Sequence, residues 1–290
     1  MQHNAQIIDG LAAAAKLRAS LALDISAAHA KTGKRPGLEV IIVGEDPASQ
    51  IYVRKKITAC EEVGIQSTKH ILPRETTESE LIELINKLNG DDDIHGILVQ
   101  LPLPEHIKSR HVLAAISPAK DVDGFHMMNA GRLVTHGGGL IPCTPLGCMM
   151  LIRSVHDKLE GLRATVIGRS QIVGRPMSHL LLRANCTVLT AHRHTKNLAE
   201  EVAASDIVVA AAGVPGLIKG EWIKPGATVI DVGISRIAAQ GGKTKIAGDV
   251  CFESAVKRAG AITPVPGGVG PMTVACLLHN TFTAFNNSLA

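Results

Sequence analysis

At 290 residues, with 46% hydrophobic and 19% charged side chains, the chain is long enough for about two domains and can bury a sizeable core. A formal net charge of +4 and only 2% aromatic residues leave no polybasic surface and few stacking platforms, which argues against nucleic-acid binding. No apolar run reaches the length of a membrane span, and no basic run exceeds Arg54-Lys55-Lys56.

Hydrophobic periodicity and turn residues predict alternating helices and strands. Residues 11–30 form an amphipathic helix whose Ala/Leu face is interrupted by Lys16, Arg18 and Asp24. That interruption removes the clean apolar core of a secretory signal, so a cytoplasmic protein is expected. Residues 39–44 form a strand, and Asp46-Pro47 starts a helix running to about Val63, with proline in its first turn. A strand over 66–72, a helix over 78–88 and a strand over 95–100 follow, the last an apolar run suited to burial on both faces. Pro102 and Pro104 then break the pattern. Residues 121–145 read as a loop containing Gly137, Gly138 and Gly139, and the crossing between domains is placed there. A helix over 146–159 leads to a strand over 164–168, a helix over 177–184 opened by Pro176, and a strand over 187–191. Further strands are predicted at 206–211, 228–232 and 261–263, and a Pro/Gly loop over 264–271 precedes a final helix over 272–285. This alternation implies an α/β fold: α/β/α domains with mostly parallel sheets.

Cys60, Cys143, Cys148, Cys186, Cys251 and Cys276 show neither C-x-x-C pairing nor zinc spacing, so free thiols are expected. His192 and His194 lie two apart on one side of a strand, but that pair alone gives no expectation of a metal site.

Residues 164–174 carry a nucleotide signal. Ala164-Thr165-Val166-Ile167-Gly168 is a β-branched run ending in glycine, and Arg169-Ser170-Gln171-Ile172-Val173-Gly174 follows. In such a βαβ unit, backbone N–H groups and a helix N-terminus can meet a phosphate. The spacing is G-x5-G, with Ser170 where G-x-G-x-x-G has its middle glycine. The next strand end normally carries an acid for a ribose hydroxyl; here it carries His192-Arg193-His194, and a cation there suits a 2′-phosphate, favouring NADP over NAD. On these residues alone, a strand-to-helix turn without a ligand stays open.

Other candidates are equally two-sided. Tyr52, the only tyrosine, and Lys56 are four apart on one helix face: either a surface pair or an aromatic wall beside a polarising ammonium. Gln100 ends a buried-type strand, where ligands of doubly wound sheets sit, yet a strand-end amide needs no ligand. Asp123, in Asp121-Val122-Asp123-Gly124, could accept two hydrogen bonds from an amino-heterocycle or simply make a turn. Pro264-Val265-Pro266-Gly267-Gly268-Val269-Gly270-Pro271-Met272-Thr273-Val274 fixes a specific loop that enters a helix at Pro271, whether as a ligand cradle or a rigid connector.

Taken together, these strings closely resemble the bifunctional methylenetetrahydrofolate dehydrogenase/methenyltetrahydrofolate cyclohydrolase family. The resemblance runs in family order through Tyr-Val-Arg-Lys-Lys at 52–56, Gly-Ile-Leu-Val-Gln-Leu-Pro-Leu-Pro at 96–104 and Lys-Asp-Val-Asp-Gly-Phe-His at 120–126. Pro-Cys-Thr-Pro at 142–145, the string at 168–177 and that at 264–274 complete it. It implies a catalytic folate-binding domain of residues 1–141 plus 275–290, a Rossmann-like NADP-binding domain of 142–274, a cleft between them, and a homodimer. It implies oxidation of 5,10-methylenetetrahydrofolate to the 5,10-methenyl cation with NADP, then hydrolysis to 10-formyltetrahydrofolate. By the same resemblance Lys56, Tyr52, Gln100 and Asp123 are the catalytic set, with Gln100 holding Lys56 and Asp123 gripping the pterin. Val53, Arg54, Lys55, Val99, Leu101, Pro266, Gly267, Gly268, Val269, Gly270, Pro271, Met272, Thr273 and Val274 join them around the folate. Gly168, Arg169, Ser170, Arg193 and Ile234 would contact NADP. One departure is local: the family often has His-Ser-x-Thr where this chain has His192-Arg193-His194-Thr195.

Overall fold

The computed structural model describes residues 5–135, 137–238 and 244–289, and for residues 47–49, 51 and 52 the backbone only. The chain runs β1 (Gln6–Ile7), α1 (Gly10–Thr32), β2 (Gly37–Val43), α2 (Pro47–Val63), β3 (Gln66–Leu72), α3 (Glu78–Asn89) and β4 (Gly96–Val99). It continues with α4 (Ser109–Ala115), α5 (Met127–Val134), α6 (Cys143–Arg153), β5 (Arg163–Ile167), α7 (Gly174–Arg183) and β6 (Thr187–Ala191). Then come α8 (Leu198–Ala203), β7 (Ile207–Ala210), β8 (Thr228–Asp231), β9 (Ser235–Ala238), β10 (Thr244–Ala247), α9 (Phe252–Ala255), β11 (Ala261–Ile262) and α10 (Val269–Ser288).

The chain forms two compact units. One comprises Ala15–Cys143 and Val274–Ala290 and is built on a three-stranded parallel sheet, β3-β2-β4. Its middle strand, Gly-Leu-Glu-Val-Ile-Ile-Val, is buried throughout, as expected of a parallel strand covered on both faces. Leu81, Ile85 and Leu88, one stripe of α3, pack with Ile41, Val43, Ile97 and Val99. A capping box starts that helix: Thr77 Oγ1 accepts from Glu80 N at 3.2 Å, and Glu80 Oε2 accepts from Thr77 N at 2.8 Å.

The other unit contains the residues through Ala14 and Thr144–Thr273. Its six strands are all parallel, in the order β1-β11-β8-β7-β5-β6. Val208, Ala210, Val229 and Ile262 line the core on one face of this sheet, which is the doubly wound pattern expected of a nucleotide-binding α/β layer.

Several expectations need correction. Residues 1–14 were expected with the first domain, but Gln6 and Ile7 pair with Ala261 and Ile262 and extend the six-stranded sheet. The expected loop over 121–145 contains α5, started by His126, whose side chain accepts from Met128 N. The helix expected over 146–159 starts at Cys143 and ends at Arg153, and the last helix starts at Val269, which puts Pro271 in its first turn. The β9–β10 hairpin was not expected; its short strands are largely exposed and carry Arg236 and Lys245, so no apolar face announces them. All six cysteines are free thiols and five are buried.

Candidate active site

In the first unit the carboxyl end of β4 delivers Gln100, whose backbone N–H still pairs with Ile41 O at 2.8 Å. Its side chain is held at both ends. Nε2 donates to Leu101 O at 2.7 Å, and Oε1 accepts from Lys56 Nζ at 3.1 Å. Only this amide orientation works, because the flipped one would set N–H against ammonium and oxygen against carbonyl. Lys56 comes from α2 and is 8% exposed, so its ammonium is aimed by Gln100 and not by solvent. Tyr52 lies one turn earlier on α2, but its side chain is outside the described residues.

Asp121 and Asp123 have separate tasks. Asp121, 1% exposed, accepts from Phe125 N at 3.1 Å, His126 N at 2.8 Å and Asn129 Nδ2 at 2.8 Å, and thereby shapes the loop. Burial raises its pKa to about 6 against those hydrogen bonds. Gly124 follows at φ +74°, packed so closely on Ile141 and Pro142 that a β-carbon would collide with their backbone. Asn280 of α10 closes the loop, its Nδ2 donating to Val122 O and to Ile141 O, both at 2.8 Å. Asp123 is the residue so presented. Its carboxylate accepts no hydrogen bond from the described residues, burial raises its pKa, and the charge of Lys56 opposes that rise. A carboxylate without a donor among the described residues can take two N–H groups of an amino-heterocycle. Cys143, buried beside it, donates to Val122 O at 3.2 Å, and burial pushes its pKa well up, so it is packing and no nucleophile.

Of the remaining folate candidates, Arg54 and Lys55 are exposed, whereas Val53 and Val99 are core side chains. Val269 and Met272 are likewise core side chains, and Gly267 takes φ +101° in the loop before α10.

The six-stranded unit holds the nucleotide candidates. Gly168 follows β5 at φ +124°, and a β-carbon there would overlap Ala211 O; one on Gly174 would overlap Gly168 O. Only glycine lets these backbones meet. Ser170 Oγ accepts from Val173 N at 3.1 Å and Gly174 N at 3.3 Å, so it already occupies part of the N-terminus of α7. Arg169 and Arg193 are exposed. Beyond β6, Thr195 Oγ1 accepts from His192 N at 2.8 Å, and Arg193 Nε donates to His194 Nε2 at 3.1 Å. The rest of the Arg193 fork has no protein partner among the described residues and is free to take a phosphate. Ile234 is 56% exposed after β8, alongside Gly270 at the start of α10. The residues present therefore fit a phosphorylated dinucleotide.

Sequence reading missed Asp231 and Asp249, both buried in this unit. The signal available was an acid closing the apolar run of β8.

Residues 8–123 match the family model for the tetrahydrofolate dehydrogenase/cyclohydrolase catalytic domain, and residues 142–289 match that for the NAD(P)-binding domain of the same family. The chain belongs to the tetrahydrofolate dehydrogenase/cyclohydrolase family. It is 57% identical to a bifunctional protein FolD 3 of Rhizorhabdus wittichii over 97% of this chain and 93% of that one. The Campylobacter jejuni bifunctional FolD methylenetetrahydrofolate dehydrogenase/cyclohydrolase superposes with a TM-score of 0.93 at 47% identity, covering 97% of this chain and 99% of that one. A Trypanosoma brucei FolD structure, complexed with NADP cofactor and inhibitor, gives 0.93 at 42% identity, covering 99% of both chains.

Proposed function

We propose that this enzyme oxidises 5,10-methylenetetrahydrofolate with NADP and hydrolyses the methenyl product to 10-formyltetrahydrofolate, with Lys56 serving the hydrolytic step. The observation that carries the assignment is the Lys56–Gln100 hydrogen bond near Asp123, whose carboxylate accepts no hydrogen bond from the described residues. NADP, when bound, accepts hydride from the bridging carbon. Asp123 holds the amino edge of the pterin. Tyr52 offers it an aromatic wall. Lys56, oriented by Gln100, serves as base in its neutral amine form beside the cationic methenyl substrate: it takes the proton of the attacking water and returns it to the leaving nitrogen as the ring opens. Leu101, next to Gln100, frames the substrate.

On the nucleotide side, Gly168 permits the close turn, Ser170 and Arg169 border the diphosphate, and Arg193 pairs with the 2′-phosphate. Ile234 gives the nicotinamide an apolar contact. Among the described residues no helix is long and apolar enough to cross a membrane, and we place the protein in the cytoplasm, where its formyl product serves one-carbon transfer such as purine synthesis. We further propose a homodimer: β3 ends its sheet with an open edge and a half-exposed Ile71, which a second copy can cover. Light scattering at twice the 30.5 kDa chain mass tests that assembly.

The decisive assay follows NADPH and methenyl absorbance with methylenetetrahydrofolate and either NADP or NAD. Appearance of NADPH followed by decay of the methenyl band is expected. NADP binding without folate-dependent absorbance change would leave only a nucleotide-binding module.

A further inference from the structure

The loop after β7, residues 211–216, has no packed side chain to fix it: Ala212, Gly213, Val214 and Pro215 are all exposed. It lies at the carboxyl end of a central parallel strand, the edge at which doubly wound sheets bind ligands. Its first residue is pressed against the nucleotide turn, since a β-carbon on Gly168 would overlap Ala211 O. At its far end Gly216 N donates to Gly248 O at 3.0 Å and Gly216 O accepts from Cys251 Sγ at 3.2 Å; the exposed middle of the loop is held by one buried carboxylate. Asp249 Oδ2 accepts from Ala212 N at 2.7 Å and from Gly213 N at 2.8 Å.

Asp249 is itself held by a second buried acid. Asp231 Oδ1 accepts from Asp249 N and from Gly233 N, and Oδ2 from Val250 N, each at 2.9 Å. The loops after β7 and β8 thus hang on two linked carboxylates, under Gly233 and Gly248, where any β-carbon would strike an acid side chain. This is a costly anchor. Asp249 is 0% exposed, and its Oδ1 has no partner among the described residues. A carboxylate that does its work through one oxygen exceeds what a structural pin needs.

We infer that Asp249 is a positioning residue for the nicotinamide nucleotide: it fixes the residue 211–216 loop, and through Ala211 the Gly168 turn, in the shape that the cofactor meets. The inference rests on the NADP reading of this unit. Hydrolysis of the methenyl substrate consumes no cofactor and gives an internal control.

Calorimetric NADP titration and cyclohydrolase turnover without cofactor are measured on wild type, Asp249→Ala and Asp249→Asn. Asp249→Ala should raise the NADP Kd about tenfold or more. Asp249→Asn, whose single oxygen can still take both N–H groups, should stay within about threefold of wild type. Cyclohydrolase turnover should stay within about twofold throughout. If Asp249→Ala does not fold, Asp249→Glu moves the carboxylate by one methylene and should show the same split. Unchanged NADP affinity overturns the inference, as does a parallel loss of cyclohydrolase turnover, which marks a merely structural acid. Wild-type enzyme that binds no NADP removes the cofactor reading itself.

Discussion

At the scale of the residue, the fixed geometry of Lys56 and Gln100 makes the sharpest forecast. Lys56→Met leaves Gln100 Oε1 without its donor and the attacking water without a base, so methenyltetrahydrofolate hydrolysis should fall by a factor of about 100 or more, toward the buffer rate. Decay of methenyl absorbance in the purified variant measures this, and hydrolysis near wild type would place the base elsewhere. Asp123→Asn sets amide donors against the N–H groups of the pterin. The folate KM should rise about tenfold while NADP affinity stays within about twofold. Arg193→Ala removes a guanidinium that only its Nε ties to His194 among the described residues, and should weaken NADP by roughly tenfold or more while sparing NAD. Equal weakening of both cofactors in competition binding would refute that pairing. The contact between Lys56 and Gln100 was foreshadowed in the sequence only as a helix face and a strand end, since Lys56 is on α2 and Gln100 follows β4. The duties of Asp121, Asp231, Asp249 and Asn280 were not. Their partners are mostly backbone groups, many of them far along the chain, and spacing does not encode such closures.

Among elements, the buried parallel strands and the helices between them followed from apolar runs and turn residues, and β3 and β6 match their expected bounds. Short elements were missed. The helix α5 carries Gly131 in its middle and precedes a glycine run, and its start depends on the His126 ring. By contrast, Thr77 with Glu80 is a readable helix start. Thr77→Ala deletes the acceptor of Glu80 N and should cost about 1 kcal/mol of stability without changing turnover. Chemical denaturation beside a steady-state assay checks both halves of that statement.

Across the whole molecule, each unit buries an acid whose pKa is raised from 3.8 to about 6, Asp121 in one and Asp231 in the other. Both bind their proton more tightly folded than unfolded. Their contribution is therefore greatest below about pH 4 and is lost as pH rises to about 6, a change of about 3 kcal/mol at most for each. His95 and His279, whose pKa values burial lowers, pull the other way, so the readout is a difference in slope. Between pH 4 and 6, the stability of Asp231→Asn should decline less with rising pH than that of wild type. Identical slopes in urea titrations would show that folding does not raise the Asp231 pKa.

The pairing of β1 with β11 also bears on how the enzyme is made. Gln6 and Ile7 leave the ribosome about 255 residues ahead of their partners, Ala261 and Ile262. The other unit waits as well, because the Asn280 amide that ties Val122 to Ile141 belongs to the last helix. Neither unit can close while the ribosome is still translating the middle of the message. The nascent chain must carry one unfinished sheet and one untied loop until residues 261–280 are made, and a premature stop before codon 260 would leave both without their final contacts.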